Sequence, residues 1–210
     1  MELRGLYVIT DRQLARGRGH EQVVAAALRG GARIIQLRDK DAPRNELIAV
    51  GRRLAKLCED AGALLIVNDD PELAAEVGAG GVHVGPTDVP PDEARRILGP
   101  NAVVGWSIKA SVETARQAQA LGVSYVAVGS IFSTTTKPGA AEVGLDAIRQ
   151  VRAAVSLPVA AIGGINAANV GEVMRAGAEM ACVIGAAVAA PNVELACRDI
   201  LHVMEHPPYE

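Results

Sequence analysis

The chain alternates between short apolar runs and longer segments of mixed polarity, and it does so eight times. The apolar runs are rich in valine and isoleucine, which is typical of parallel β-strands buried on both faces. The segments between them are long enough for helices that return the chain to the start of the next strand. The sequence therefore predicts a repeated strand–helix unit. The eight runs begin near Leu6, Ile34, Leu64, Val82, Val103, Tyr125, Val159 and Ala181.

The segments between the runs have the pattern of amphipathic helices. Over residues 43–61, apolar residues recur at three- and four-residue steps and form one stripe. Pro43 fits the first turn of this helix, where its missing N–H costs nothing, and Ser111 is expected to cap a later helix. Glycines at the predicted helix ends can adopt the left-handed conformation that closes a helix. These glycines are the pair Gly30-Gly31 and the single residues Gly62, Gly78, Gly122 and Gly177.

Eight strand–helix units indicate an α/β fold with a closed (βα)₈ barrel, the TIM barrel, formed by a single domain over residues 1–210. A doubly wound open sheet is the alternative, but no G-x-G-x-x-G motif follows the first apolar run. Half of the residues are apolar and only 2% are aromatic, so valine, isoleucine, leucine and alanine must form the core. We expect the tail, residues 206–210, to be frayed.

Charge and hydropathy exclude several classes of partner. A net charge of −3 and the scarcity of aromatic residues argue against nucleic acid. No apolar run is as long as a membrane span, and the first residues lack a signal-peptide pattern, so we expect a cytoplasmic protein with no membrane partner. The oligomeric state stays open, although apolar outer helices suit a homo-oligomer. The three cysteines, which lack metal-site spacing and are predicted to lie in the core, are Cys58, Cys182 and Cys197.

Hydroxyl groups and cations follow two of the apolar runs. In a barrel of parallel strands, the carboxyl ends of all strands meet at one mouth, where ligands bind. Thr134, Thr136 and Lys137 follow the sixth run and offer hydroxyl donors beside a point cation, which suits phosphate oxygens. Arg38 and Lys40 follow the second run. The two loops together predict one shared anionic ligand, although each could also be an ordinary polar connection.

Two aspartates follow the third and fourth runs. Asp69 and Asp88 are one helical unit apart and could converge from adjacent strands. Mg²⁺ typically takes one or two carboxylates together with waters and substrate phosphate oxygens. The alternative is structural, because Asp69 could cap a helix that starts near Pro71 and Asp88 one that starts near Pro90.

Glycines and a histidine complete the predicted mouth. Gly164 and Gly185 lie after the seventh run and at the end of the eighth, where barrel loops often bind phosphate through backbone N–H groups, although both could be simple turns. His83 could line the mouth or be a hydrogen-bonded core residue. The sequence shows no serine triad, paired catalytic glutamates or zinc motif. This pattern favours a reaction that needs charge neutralisation, such as loss of a diphosphate group.

The strand ends and loops carry seven short motifs. They are Tyr7-Val8-Ile9-Thr10-Asp11, Gln36-Leu37-Arg38-Asp39-Lys40, Val67-Asn68-Asp69, Gly81-Val82-His83-Val84-Gly85 with Asp88, Gly105 with Ser107, Thr134-x-Thr136-Lys137, and Ala161-Ile162-Gly163-Gly164-Ile165. Together they resemble the thiamine-phosphate synthase family, also called the thiamine-phosphate pyrophosphorylase family, over nearly the whole chain. The Gly-Gly-Ile motif alone is less specific, because it occurs in many phosphate-binding barrels.

The resemblance implies a transferase that joins a hydroxymethylpyrimidine diphosphate to a thiazole phosphate and gives thiamine phosphate and pyrophosphate. It implies a Mg²⁺ ion held by Asp69 and Asp88. The catalytic residues that it implies are Arg38, Lys40, Ser107 and Lys137. The implied residues for the pyrimidine diphosphate are Gln36, Leu37, Arg38, Asp39, Lys40, Asn68, His83, Ser107 and Lys137. Those for the thiazole phosphate are Thr134, Thr135, Thr136, Gly164, Ile184 and Gly185.

Four positions depart from the usual pattern of this family: Asp70, Pro86, Ile108 with its neighbour Lys109, and Gly185. None of them removes a metal ligand or a diphosphate cation, but Pro86 affects the geometry of the metal loop and Gly185 affects the affinity for thiazole phosphate.

Two alternatives stay open beside the synthase. A thiazole tautomerase of the same barrel family would need a base at the mouth. A barrel that binds thiamine intermediates without turnover would regulate instead of catalysing.

Overall fold

A computed structural model describes residues 2–134, 136, 139 and 141–206 of the chain. Eight parallel strands pair in chain order, and the last pairs with the first, so the sheet closes into a barrel. The predicted (βα)₈ barrel is confirmed, and the open doubly wound sheet is excluded. The strands are β1 (Gly5–Ile9), β2 (Ile34–Leu37), β3 (Leu64–Asn68), β4 (Gly81–Val84), β5 (Val103–Lys109), β6 (Tyr125–Val128), β7 (Val159–Ile162) and β8 (Met180–Val183).

Helices surround the barrel and connect successive strands. None of the described helices is long and apolar enough to cross a membrane. The last helix ends just before the tail, and residues 207–210 of that tail lie outside the described residues. The helices in the described part of the chain are α1 (His20–Arg29), α2 (Arg44–Asp60), α3 (Pro71–Val77), α4 (Pro91–Leu98), α5 (Val112–Ala120), α6 (Gly144–Ala154), α7 (Val170–Arg175), α8 (Gly185–Val188) and α9 (Val193–Glu205).

The helix ends follow the sequence signals with two differences. Ser111 caps α5 as predicted, because its hydroxyl oxygen accepts a hydrogen bond from the Thr114 N–H at 3.1 Å. Pro43 precedes α2 as its N-cap and does not lie in the first turn. In the predicted Gly30-Gly31 pair, Gly31 has positive φ, whereas Gly30 has φ −73°. The other predicted glycines all have positive φ, and they are Gly62, Gly78, Gly122 and Gly177.

Gly30 is a packing residue. A Cβ atom there would lie 2.6 Å from the Cβ of Cys197 and 2.7 Å from the carbonyl oxygen of Glu194, both on α9. The next residue, Gly31, takes the positive φ of 97° instead. The glycine pair therefore brings α9 against the end of α1, and this contact closes the ring of helices between the last element and the first.

The core has an inner and an outer layer because successive strand residues point to opposite faces of the sheet. The inner layer fills the barrel and includes Tyr7, Ile66, Tyr125 and Met180. The outer layer lies between the strands and the helices and is built almost entirely of aliphatic residues. All three cysteines are buried, as predicted. At the carboxyl ends of the strands, the last layer of side chains inside the barrel includes polar residues.

Candidate active site

The described site residues lie at the carboxyl ends of the strands, which share one mouth of the barrel. Ser107 lies within β5 itself. Thr135 and Lys137 lie outside the described residues. The remaining predicted residues lie in or after β2 (Gln36, Leu37, Arg38, Asp39, Lys40), β3 (Asn68, Asp69), β4 (His83, Asp88), β6 (Thr134, Thr136), β7 (Gly164) and β8 (Ile184, Gly185).

Arg38 is held in place by two residues that directly follow β1, Thr10 and Asp11. Its Nη1 atom donates to Oδ2 of Asp11 at 2.9 Å, and its backbone N–H donates to the hydroxyl of Thr10 at 3.0 Å. Both charged side chains are largely shielded, with 23% of Arg38 and 14% of Asp11 exposed. An ion pair with this little exposure keeps the guanidinium in one orientation, so that its remaining N–H groups are available to a ligand.

Asp39 does not present its carboxylate to the mouth. Its side chain is only 2% exposed, and Oδ2 accepts from Nε of Arg12 at 2.6 Å and lies 3.0 Å from Nε2 of His20. Oδ1 accepts from the backbone N–H groups of Asp41 and Ala42, at 3.2 Å each. Burial alone would raise the pKa of Asp39, but the hydrogen bonds from His20, Asp41 and Arg12 outweigh it and hold that pKa below its usual value.

The loop after β2 is therefore held in place by a set of contacts that the sequence did not predict. Asp39 links the loop after β2 to the loop after β1, and its four protein donors occupy the sites that a carboxylate offers. Leu37 is 2% exposed and packs in the outer layer between strands and helices. The expected substrate contacts of the Asp39 and Leu37 side chains are thus not supported by where these side chains lie.

Asp69 and Asp88 converge from β3 and β4, as the metal hypothesis requires. Their carboxyl groups are in hydrogen-bond contact. The Asp69 N–H donates to the carbonyl oxygen of His83 at 2.8 Å, which fastens the end of β3 to β4. Oδ2 of Asp88 accepts from the Gly85 N–H at 2.7 Å.

The capping alternative is wrong for both aspartates. The N-cap of α3 is Asp70, whose side chain accepts from the Leu73 N–H at 2.7 Å. The N-cap of α4 is Pro90, and no side chain caps that helix. Asp69 itself has φ 65°, a left-handed conformation that aspartate tolerates better than most residues. The two carboxylates are therefore placed by the turns after their strands, and they remain available to a ligand.

The electrostatics of this pair fit a divalent cation. Burial, a hydrogen bond with Asp88 and repulsion from it raise the pKa of Asp69 to about 6, while Lys40 and Asn68 oppose the rise. Two carboxyl groups in contact cannot both ionise cheaply unless a cation neutralises them. The described residues contain no cluster of three or more histidine, cysteine, aspartate or glutamate side chains suited to a metal. Two carboxylates suit Mg²⁺, which usually completes its shell with waters and phosphate oxygens.

A chain of hydrogen bonds crosses the barrel interior below the mouth. Nε2 of Gln36 donates to the Tyr7 hydroxyl at 2.6 Å, and the hydroxyls of Tyr7 and Tyr125 are 3.1 Å apart. The Tyr125 hydroxyl lies 2.8 Å from Nδ1 of His83, and Nε2 of His83 lies 2.8 Å from Oγ of Ser107. The chain links Gln36 on β2 to Ser107 on β5 through the barrel interior, and the sequence did not indicate a site role for either tyrosine.

His83 is at once a core histidine and a neighbour of the mouth. Burial lowers its pKa to about 4, and the charge of Asp88 only partly opposes this. Its ring stacks on the ring of Tyr125, with centroids 5.5 Å apart. Tyr125 fits because β5 carries Gly105, where a Cβ would lie 2.1 Å from Cζ of Tyr125. The motif of Gly105 with Ser107 was a signal for this packing, since a glycine in a strand often marks a close approach.

Glycines form the opposite side of the mouth. A Cβ on Gly163 would lie 2.0 Å from Oγ of Ser130, and a Cβ on Gly164 would lie 2.5 Å from the carbonyl oxygen of Ser133. The Phe132 N–H donates to the carbonyl oxygen of Gly163 at 3.1 Å. The loop after β7 therefore packs backbone to backbone on the loop after β6. These glycines are more than turn residues, because any side chain would force the two loops apart.

The hydroxyl of Thr136 lies beside the start of α8. A Cβ on Gly185 would be 3.9 Å from Oγ1 of Thr136, and the Thr136 N–H donates to Oγ1 of Thr134 at 3.2 Å. Ile184, the residue before α8, packs against the inner layer of the core. Hydroxyls from the β6 loop and the backbone of α8 thus meet at one place, which suits a phosphate group.

Comparison with known proteins agrees with these motifs and this geometry. A sequence model of the family described as thiamine monophosphate synthase matches residues 6–187. The chain belongs to this family. The thiamine-phosphate synthase of Roseiflexus sp. (strain RS-1) is 48% identical over 194 residues, which cover 92% of this chain and 82% of that protein. The thiamine-phosphate synthase of Chloroflexus aurantiacus is 47% identical, covering 93% of this chain and 90% of that protein.

Solved structures of other proteins have the same barrel architecture. Thiamine phosphate pyrophosphorylase from Pyrococcus furiosus superposes with a TM-score of 0.89 at 38% identity, and the match covers 96% of both chains. A 3-hexulose-6-phosphate synthase superposes with a TM-score of 0.67 at 22% identity, covering 94% of this chain and 98% of that chain. At that identity the second match shows a shared barrel fold and nothing about chemistry.

Proposed function

We propose that this chain is a thiamine-phosphate synthase. It would join 4-amino-2-methyl-5-(diphosphooxymethyl)pyrimidine to 4-methyl-5-(2-phosphoethyl)thiazole, or to its 2-carboxy form, with release of pyrophosphate. Family membership supports the reaction class. The observation that carries the proposal is the contact between the Asp69 and Asp88 carboxyl groups, beside Lys40, at the barrel mouth. The enzyme would act on these small molecules in the cytoplasm, and its assembly into a homo-oligomer stays a prediction.

Asp69 and Asp88 would hold Mg²⁺, which would supply positive charge to the departing pyrophosphate. Lys40 lies near enough to Asp69 to lower the pKa of that carboxyl group, which supports a role for its ammonium group beside the same ion. Arg38 and Lys137 would add further positive charge for the diphosphate. Together these groups stabilise the negative charge that develops on the leaving group.

The remaining mouth residues would bind and orient the two substrates. Gln36, Asn68 and Ser107 would hydrogen-bond the pyrimidine diphosphate, with His83 beside the ring. The thiazole phosphate would be bound on the opposite side by Thr134, Thr135, Thr136, Gly164, Ile184 and Gly185. Binding the two substrates on facing sides would bring the thiazole nitrogen near the reacting methylene carbon, and such positioning is a large part of catalysis.

The proposed reaction needs no proton abstraction, and the state of His83 in this site is consistent with a reaction that uses no base. The thiazole nitrogen attacks with its own lone pair as the bond from the methylene carbon to the diphosphate oxygen breaks, so the pyrophosphate leaves with both electrons of that bond. His83 is kept neutral at physiological pH because burial lowers its pKa to about 4, and both of its ring nitrogens have protein partners. The histidine is therefore poorly placed to act as the base that a tautomerase would require.

The test is to mix the purified chain with both substrates and Mg²⁺ and to measure pyrophosphate and thiamine phosphate together. The proposal predicts equal amounts of the two products, their loss with EDTA and their recovery with added Mg²⁺. Binding of both substrates without either product would favour the non-catalytic binder. Conversion of a thiazole isomer without consumption of the pyrimidine diphosphate would favour the tautomerase.

A further inference from the structure

The hydrogen bonds of the interior chain have a fixed direction, and Gln36 sets it. The Gln36 amide nitrogen can only donate, so the Tyr7 oxygen accepts at that contact. Among the described residues, the Tyr7 hydroxyl has one other hydrogen-bond partner, the Tyr125 hydroxyl. If Tyr125 donated to Tyr7, the Tyr7 proton would be buried without an acceptor, which is costly. The Tyr7 hydroxyl therefore donates to Tyr125.

The same reasoning gives the donor and acceptor of each hydrogen bond from Tyr125 to Ser107. Having accepted from Tyr7, the Tyr125 hydroxyl donates its own proton to Nδ1 of His83. A neutral imidazole with an accepting Nδ1 carries its proton on Nε2, so Nε2–H donates to Oγ of Ser107. Ser107 is half-buried and accepts at this contact. Its hydroxyl proton is then directed away from His83, towards the barrel mouth.

We propose that Tyr125 is a positioning residue for this reaction, with Tyr7 and Gln36 behind it. Tyr125 fixes the Nε2–H tautomer of His83. Because that N–H donates to Oγ of Ser107, the Ser107 hydroxyl is left to donate its own proton towards the barrel mouth. The proton would meet a hydrogen-bond acceptor of the pyrimidine diphosphate. This last step rests on the proposed function, whereas the tautomer and the direction of the chain rest on the geometry alone.

Two features indicate that this hydrogen-bond chain has a function and is not incidental packing. All five side chains are supplied by different strands, β1, β2, β4, β5 and β6, so the chain depends on closure of the whole barrel. The described residues also leave no buried side-chain nitrogen or oxygen without a hydrogen-bond partner. A fully satisfied buried network holds its members in one arrangement, and removal of one member is felt by the others.

The direct test is the tautomer of His83 in the enzyme without substrates. Long-range ¹H–¹⁵N NMR spectra distinguish a protonated ring nitrogen from an unprotonated one, and a His83→Gln variant assigns the signals. We expect Nε2 protonated and Nδ1 unprotonated in the wild type. In Tyr125→Phe, which keeps the ring but removes the donor, we expect a mixture of tautomers. A wild-type Nδ1–H tautomer, or no change in Tyr125→Phe, would overturn the proposal.

A double-mutant cycle tests the link to Ser107. Tyr125→Phe should lower kcat/KM about three- to tenfold, as expected for loss of one oriented hydrogen bond. The same change in a Ser107→Ala background should have no further effect, because Tyr125 acts through the serine. Met180→Leu, a buried substitution in the same core layer but outside the hydrogen-bond chain, is the packing control and should leave kcat/KM unchanged.

Additive losses in the cycle would overturn the positioning role. If the chain makes no thiamine phosphate at all, the proposed function fails separately from this inference. In that case calorimetric affinity for the pyrimidine diphosphate replaces kcat/KM in the cycle, and the NMR result still decides the direction of the hydrogen bonds.

Discussion

The two sides of the barrel mouth are built on different physical principles. On the β2–β5 side, charged side chains are held in place by other charged or polar groups, as in the Arg38–Asp11 pair and the Asp69–Asp88 contact. On the β6–β8 side, the important feature is the lack of side chains, because Gly163 and Gly164 let two backbones approach closely. The first side provides charge, and the second provides backbone geometry.

This difference predicts different kinds of fragility. A change of charge on the β2–β5 side should leave the fold intact and damage the chemistry, because the carboxylates and cations there carry little packing. One added methyl group on the β6–β8 side should damage the fold itself, because it would push two loops apart. Substitutions on the β2–β5 side should therefore lower activity, and added methyl groups on the β6–β8 side should lower stability.

Asp88→Asn is expected to have the largest effect. The asparagine keeps an oxygen that can accept from the Gly85 N–H, so the turn after β4 should survive. Loss of the charge should weaken the metal site and lower kcat/KM about a thousandfold or more, since a catalytic metal contributes several kcal/mol. Steady-state kinetics and thermal unfolding check this together. A drop in Tm large enough to explain the lost activity would return Asp88 to a structural role.

Gly163→Ala should have the next largest effect, on stability. The new Cβ would lie 2.0 Å from Oγ of Ser130, and the residue has φ 107°. Overpacking and backbone strain together should cost about 2–4 kcal/mol in denaturant unfolding. Gly62→Ala is the matched control, because Gly62 also has positive φ, at 62°, but no atom within 4 Å of the added Cβ. It should cost only about 1–2 kcal/mol. Equal losses in the two variants would show that close approach is not what Gly163 provides.

Asp69→Asn should raise Tm in EDTA at neutral pH. The pKa of Asp69 is raised from 3.8 to about 6 in the fold, so the folded state binds more protons than the unfolded state between these values. Stability is therefore lost as pH rises through this window, and the loss persists above it. Because Asp69 is only about half-buried, we expect a gain of about 2–4 °C, equivalent to about 1 kcal/mol.

The same variant gives its own control. Below about pH 3, where the carboxyl group is protonated in both the folded and the unfolded state, Asp69→Asn and the wild type should unfold at the same temperature. Above pH 6, Mg²⁺ should raise Tm of the wild type and leave that of Asp69→Asn nearly unchanged. A Mg²⁺ effect of equal size in both proteins would mean that the metal binds elsewhere.

Thr136→Val should have the smallest effect, and only on one substrate. Valine has nearly the shape of threonine but lacks the hydroxyl that lies beside Gly185. Loss of one hydrogen bond of about 1 kcal/mol should raise KM for the thiazole phosphate about fivefold. KM for the pyrimidine diphosphate should not change. An equal rise in both KM values would contradict the assignment of Thr136 to the thiazole side.

The sequence predicted the barrel and most of the mouth for a simple physical reason. In a parallel barrel, the residue that ends a strand is placed at the mouth whatever the rest of the chain does, so Asn68, Asp69 and Lys40 could be located from local pattern alone. Helix boundaries followed from the same local signals, such as the Ser111 cap.

The contacts that the sequence did not predict are those between residues far apart in the chain. Tyr7 and Tyr125 are 118 positions apart, and each looks like an ordinary residue of a buried strand. Asp39 lies within a cationic motif that suggests substrate binding, whereas its partners are Arg12 and His20 from the preceding loop and helix. Only the closed fold brings these groups together.

A crystal structure of the enzyme with Mg²⁺, thiamine phosphate and pyrophosphate would test the central contrast most directly. We predict pyrophosphate and the metal on the β2–β5 side, with Asp69, Asp88 and Lys40 around them. The phosphate of thiamine phosphate should lie on the β6–β8 side, against Gly164 and Gly185. A structure with Mg²⁺ away from the two aspartates, or with the two phosphate groups exchanged between the sides, would contradict this account.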